Sequence, residues 1–276
     1  MHVTFITANY VARESRYALD PFVWGTADKA TVEAFHGPNF GKKFDEMCGL
    51  IAADGFRNID IWVAHLNPLH VTDSMVNEAN AILRARGLRA TAYTGGLGRP
   101  DMTRADAERV YKVAKAINTP VIGVGLNRSN ERLAFDLGKE YGIRYAIENH
   151  PEKTPHELIE RLKSMPSGYT DVIGVAQDTG FWGMFDYEAV KATRELAPFL
   201  YHMHLKQVKR FPDGNFHSCG YDEGIVDIQG VVKTLVDVGY SGAVSVEHEP
   251  TSEDPMPAVS RSAKMLRGWL GNKALS

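Results

Sequence analysis

The chain has 276 residues, 44% of them apolar and 24% charged, with a formal net charge of −3. That length suits one (β/α)8 barrel of roughly 250 residues, with a core that buries about three-quarters of the unfolded surface. The slight negative balance excludes a basic footprint for nucleic acid or an anionic membrane, and no stretch reads as a signal peptide or transmembrane span, so a cytoplasmic protein is expected.

Short β-rich runs alternate with stretches of helical spacing, the pattern of βα units around a parallel sheet. The first strand is expected over Val3–Ala8. The turn after it, Asn9-Tyr10-Val11-Ala12-Arg13, lacks the glycines that a dinucleotide-binding fold places there. A long connection then runs from Asn9 to about Pro38 and carries Arg13, Arg16, Tyr17, Trp24 and His36. Further strands are expected at Asn58–Val63, Ala90–Thr94, Pro120–Val124, Arg144–Glu148 and Ile173–Gln177, then at Leu200–Leu205 and Gly242–Glu247. Apolar stripes at helical spacing separate them: Val110, Val113, Ala114 and Ile117, then Ile228, Val231, Val232, Leu235 and Val236, then Val259, Ala263, Leu266 and Leu270. Gly55, Gly87, Gly142 and Gly239 stand where helices end, and Thr72, Ser129, Thr154 and Asp227 where they begin. A second long connection, Lys206 to about Val226, holds Lys209, Arg210, Phe211, His217, Cys219 and Glu223.

Eight strands with eight helices predict a single (β/α)8 TIM barrel over residues 1–276. Both long connections, about 9–38 and 206–226, follow a strand, which puts them on the face where barrels keep their active sites; lids or substrate walls are expected there. The two cysteines, Cys48 and Cys219, are expected to be reduced thiols.

The chemistry gathers at the ends of the last four strands. They read Ala146-Ile147-Glu148, Ala176-Gln177-Asp178, His202-Met203-His204 and Ser245-Val246-Glu247. Side chains alternate along a strand with period two, so Glu148, Asp178, His204 and Glu247 share the parity that faces into the barrel. Three carboxylates aimed into one mouth cannot all stay ionised without a counter-charge. One divalent cation held by these four residues relieves the repulsion, with Mn²⁺ as the first choice and Mg²⁺ or Co²⁺ as alternatives. Lys206 shares the parity of His204, and His65 follows the second strand; both are expected to face the mouth and meet substrate oxygens.

These strand ends resemble the xylose-isomerase-like barrel superfamily, whose members include ketose 3-epimerases, inosose dehydratases and hydroxypyruvate isomerases. The resemblance covers essentially the whole chain and implies the same four metal ligands. A finer likeness lies in Glu148-Asn149-His150-Pro151-Glu152-Lys153-Thr154, Asp178-Thr179-Gly180-Phe181-Trp182, His202-Met203-His204-Leu205-Lys206 and Glu247-His248-Glu249-Pro250. These look like the catalytic subunits of C-glycoside deglycosidases, which act on 3-oxo-glucosides. Relatives that work on small ketoses commonly carry a histidine three residues after the strand-six aspartate. Here Phe181 and then Trp182 stand there, and an aromatic wall suits a glycoside with a flat aglycone.

The expected chemistry is removal of a proton next to a sugar carbonyl. His150, two residues beyond Glu148, is the first candidate base, and Glu148 and Glu247 would do this work in an epimerase. A 3-oxo-glucoside would then lose its aglycone by β-elimination; reprotonation would instead give an isomerase, epimerase or dehydratase outcome. The resemblance also implies a small β-rich second subunit, with a homo-oligomer as the alternative, contacted near Tyr17, Trp24 and Phe211.

Overall fold

Eight parallel strands close on themselves in the computed structural model, which describes residues 1–212 and 214–274. In chain order they are β1 (His2–Ile6), β2 (Asn58–Trp62), β3 (Arg89–Thr94), β4 (Val121–Val124), β5 (Arg144–Glu148), β6 (Ile173–Asp178), β7 (Leu200–Arg210) and β9 (Ala243–Glu247). The ninth strand, β8 (Phe216–Cys219), lies outside the ring and pairs antiparallel with the far end of β7. Closure runs through β6–β7, β7–β9 and β9–β1, the last with Val3 opposite Val244 and Phe5 opposite Val246. This is the (β/α)8 TIM barrel expected from the alternation.

Ten α-helices, two more than expected, surround the strands among the described residues. They are α1 (Trp24–Phe35), α2 (Phe40–Ala53), α3 (Asp73–Ala85), α4 (Arg104–Ala116), α5 (Glu131–Tyr141), α6 (Pro155–Lys163), α7 (Thr179–Met184), α8 (Ala189–Leu196), α9 (Ile228–Asp237) and α10 (Met256–Leu270). The extra pair arises because both β1 and β6 are followed by two helices. None is long and apolar enough to cross a membrane.

The helix signals mostly hold. Thr72 Oγ1 accepts the Met75 N–H at 3.2 Å, Asp227 Oδ1 accepts the Gly230 N–H at 2.8 Å, and Glu157 Oε1 accepts the Thr154 N–H at 3.1 Å. Ser129 is a correction. Its own N–H is capped by Asn127 Oδ1 at 3.1 Å, because a 3-10 turn precedes α5 and moves the cap upstream. The apolar stripes of α4, α9 and α10 pack against the barrel and are buried, except for the half-buried Val236.

Neither long connection is a simple loop. Asn9 to Pro38 contains α1, whose Ala27, Thr31 and Phe35 recur every four residues and are all buried. Lys206 to Val226 contains the rim of β7 and all of β8, so a two-stranded hairpin rises from the barrel mouth.

Trp182 was expected in the substrate wall and is instead core. It sits in α7 with no exposed surface and packs against Tyr187, with ring centroids 5.8 Å apart. Trp182→Ala should therefore cost about 3–5 kcal/mol of stability by urea unfolding.

Candidate metal centre and substrate pocket

The barrel interior is layered by strand alternation. Low in the barrel, the small side chains of Ala92, Val121, Ala146 and Ala176 pack together. Higher up, Asp60 from the middle of β2 is fully buried and gathers four partners. Its Oδ2 accepts from His202 Nε2 at 2.8 Å, Ser245 Oγ at 3.0 Å and His204 Nε2 at 3.3 Å, and its Oδ1 accepts from Thr94 Oγ1 at 2.6 Å. Burial opposes the charged carboxylate, yet the donated hydrogen bonds of His202 and His204 win and hold its pKa well below the ordinary range.

With Nε2 committed to Asp60, His204 presents Nδ1 upward. That nitrogen donates to Glu148 Oε1 at 2.5 Å and lies 3.6 Å from Glu247 Oε2. Ligand atoms of Glu148, His204 and Glu247 all fall within 4.8 Å of one another. Asp178 stands beside this trio at the end of β6. Its Oδ1 accepts the Gly180 N–H at 2.6 Å, and its Oδ2 is 3.5 Å from Lys206 Nζ. Lys206 also reaches Glu247 Oε1 at 3.2 Å and Glu249 Oε2 at 2.5 Å.

Burial favours the neutral form of each of these carboxyls, and their neighbours decide the outcome. At Glu148 the charges of His150 and His204 overcome burial and bring the carboxyl down to about 2. At Asp178 and Glu247 burial prevails over Lys206, and both are raised. His204 is held well above its ordinary value because Glu247 and Glu148 outweigh its desolvation. Without a metal, then, a proton on His204 and the Lys206 ammonium supply the positive charge.

The donor set fits a divalent cation. Asp178 Oδ2 and Glu247 Oε2 are buried with no hydrogen-bond partner among the described residues, a costly state for two carboxylate oxygens that a cation would relieve. The Asp60–His204 contact is the carboxylate–imidazole support typical of a metal-ligating histidine.

Above the acidic floor opens a cavity of about 880 Å³. Glu148, His150, His204, Lys206, Glu247 and Glu249 form its polar end. Its other walls are apolar: Ile6, Phe22, Trp24 and Trp62 on one side, Phe181, Met184 and Phe185 on the other. Phe22, Trp24 and Trp62 meet edge to face in series, with centroids 6.0 and 5.9 Å apart. The His150 ring stands against Phe181 at 3.8 Å, and its Nδ1 lies 3.1 Å from Glu148 Oε2. The β7–β8 hairpin closes a further side with Phe216, His217 and Ser218.

The structure thus brings together Glu148, His150, Asp178, His204, Lys206 and Glu247, with Phe181 and Trp24 in the pocket walls. Two expected contacts lie elsewhere. Trp182 faces the core because adjacent residues of a helix point about 100° apart, so Phe181 alone turns to the pocket. His65 is turned away by the 3-10 turn Val63–His65; its ring packs on Phe35 and its Nδ1 meets Thr7 Oγ1 at 3.0 Å.

Three supporting residues escaped the sequence reading. Asp60 is one, and its signal was a lone carboxylate amid a buried strand. Asn149 ties β5 to β6, donating to the Asp178 carbonyl at 2.9 Å and accepting the Asp178 N–H at 2.7 Å. Asn9 ties the end of β1 to that of β9 in the same way, through Val246 O at 3.0 Å and the His248 N–H at 2.9 Å. Both fix a strand end that carries one of the clustered carboxylates, Asp178 on β6 and Glu247 on β9.

Comparison with known proteins agrees with this architecture. A stretch of 98 residues is 31% identical to mannonate dehydratase 1 of Halalkalibacterium halodurans, covering 34% of this chain. The match spans only 27% of that relative's length. A xylose isomerase-like TIM barrel protein from Mycobacterium smegmatis, in complex with magnesium, superposes with a TM-score of 0.69 at 15% identity, over 85% of this chain and 90% of the other. The 3-keto-D-glucoside 4-epimerase of E. coli superposes with a TM-score of 0.60 at 16% identity, over 82% and 94%. Residues 48–269 match the xylose isomerase-like TIM barrel family, and the chain belongs to that family.

Proposed function

We propose that this chain is a divalent-metal-dependent enzyme that removes the proton next to the carbonyl of an oxidised sugar. The observation that carries the reading is the convergence of Glu148, His204 and Glu247 within 4.8 Å at the floor of a large pocket, with His150 beside them. Glu148, Asp178, His204 and Glu247 would hold the ion, Mn²⁺ first among Mg²⁺ and Co²⁺. When bound, the ion draws electron density from neighbouring oxygens of a hydroxy-ketone and so acidifies the adjacent C–H.

His150 takes that proton. Its Nδ1 is engaged by Glu148 Oε2, and its half-exposed ring stands at the pocket wall with Phe181 fixing its plane. Lys206 binds a substrate oxygen and offsets the charge that develops there. In the lyase form of the reaction the substrate is a 3-oxo-glucoside. The C2–H bond breaks, a C1–C2 double bond forms, and the bond from C1 to the aglycone breaks with its electron pair leaving on the aglycone. The aromatic half of the pocket supports this form, because a flat aglycone buries more apolar surface against Phe22, Trp24 and Phe185 than the C–H face of a free ketose does. The second reading is an isomerase, epimerase or dehydratase acting on a keto sugar, supported by the activities of the mannonate dehydratase and the keto-glucoside epimerase. Incubating Mn²⁺-loaded protein with 3-oxo-glucosides and with free ketoses, followed by mass, separates the two: aglycone release favours the first, epimerised sugar the second.

His150→Ala is expected to leave metal content near wild type and to lower turnover by about 10²–10⁴-fold. Loss of the metal together with activity would make His150 a support of Glu148 instead.

Partnership forms part of the same proposal. Trp24, Phe185 and Phe211 are 46%, 36% and 42% exposed. A β-rich subunit or a second copy would cover them with an interface on the order of 1,600 Å². Light scattering should find a mass above 30.6 kDa, alone or with that subunit; a monomer that turns over sugars at full rate by itself contradicts this.

A further inference from the structure

A second, smaller cavity of about 350 Å³ lies beside the substrate pocket, lined by the turn after β1, by α2 and by His65. The two cavities have no lining residue in common, and Trp62 and His65 meet edge to face as the wall between them, with ring centroids 5.4 Å apart.

Its charges are uneven. Lys43 and Glu14 satisfy each other at 2.6 Å, and Glu46 lies on the surface with Lys42 at 3.9 Å. Arg13 and Arg16 also line the cavity and make no ion pair among the described residues; Arg13 only stacks over the Tyr10 ring at 4.9 Å. Three cations, Arg13, Arg16 and Lys43, therefore line the space against two acids, Glu14 and Glu46, and both acids are already paired with a lysine.

His65 adds a donor. Its side chain is 1% exposed, and no hydrogen bond reaches its Nε2 among the described residues. Thr7 Oγ1 already accepts the Trp62 N–H at 2.8 Å, so its single hydroxyl hydrogen is free to go to His65 Nδ1. In that tautomer the ring proton sits on Nε2, on the side not tied to Thr7. Burial, with Arg13, His36 and Lys43 nearby, lowers the imidazole pKa to about 3, so the ring is neutral and the local potential is positive.

We infer that this cavity is a binding site for a small carboxylate or phosphate anion, held by the Arg13 and Arg16 guanidiniums with the His65 Nε2–H as a third donor. Planar guanidiniums match both anion types through paired hydrogen bonds. The site is separate from the metal centre, whose carboxylates repel anions, so the two can be assayed apart.

The test uses the full chain stripped of metal, titrated calorimetrically with inorganic phosphate and, in a second arm, with malonate. Saturable 1:1 binding of at least one probe below about 10 mM is expected, and the arm that binds more tightly identifies the anion class. Arg13→Gln/Arg16→Gln should weaken that binding by about tenfold or more, and His65→Gln by less. A circular-dichroism melt checks that each variant folds. Affinity unchanged in the double variant, or no saturation by either probe in the wild-type chain, overturns the inference.

Discussion

Glu247→Gln should lower divalent-metal affinity by about 10²–10³-fold and take turnover down with it, while leaving the metal-free protein about as stable as before. The two halves of that expectation have separate causes. Removing one anionic ligand from a set of four forfeits a charge-assisted bond to the ion, a loss of a few kcal/mol. In the metal-free protein, however, Glu247 is a raised carboxyl with an unpartnered Oε2, and Lys206 keeps Glu249 at 2.5 Å and Asp178 at 3.5 Å when Glu247 is neutral. Metal titration by calorimetry and urea unfolding in chelator together check it. Equal losses of metal affinity and of metal-free stability would mark Glu247 as a structural ion-pair residue.

Asp60→Asn should act the other way, on the scaffold first. Four donors converge on that carboxylate, two of them from histidines and one from a serine on β9. An amide cannot accept on both atoms, so its NH₂ group would face a donor inside a dry barrel. A stability loss of about 3–5 kcal/mol by urea unfolding is expected. His204 would also lose the partner that orients Nδ1, so metal affinity should fall by about 10–100-fold in whatever protein remains folded. A variant with unchanged unfolding midpoint would mean the network contributes little.

The contrast between these residues shows what strand alternation reveals. Glu148, Asp178, His204 and Glu247 were legible because each ends a strand and shares one parity, so period two alone placed them together. Asp60 obeys the same parity but sits mid-strand between Ile59 and Ile61, below the rim formed by the strand ends. Residues just past the strands were harder to place, since a different periodicity takes over there. The 3-10 turn at Val63–His65 rotates His65 out of the pocket, and the first turn of α7 sends Phe181 in and Trp182 into the core. The hairpin was hidden for a related reason. β7 runs eleven residues, well beyond its barrel partners, and its outer half pairs only with β8, a contact that alternation within one strand does not announce.

The aromatic half of the pocket came from both regimes. Ile6 and Trp62 end strands, whereas Phe22 and Trp24 come from the entry to α1 and Phe181, Met184 and Phe185 from α7 and its end. A rigid barrel therefore supplies the charged floor, and the segments after β1 and β6 supply most of the apolar wall.

The central claim is that Glu148, Asp178, His204 and Glu247 hold one divalent ion, and crystals soaked in Mn²⁺ test it most directly through anomalous scattering. One peak is expected on the barrel axis side of His204, at about 2.0–2.4 Å from His204 Nδ1 and from carboxylate oxygens of Glu148, Asp178 and Glu247. Lys206 Nζ should then move away from Asp178 and Glu247. No peak at saturating Mn²⁺, or a peak on Asp60, His202 and His204 instead, contradicts the claim.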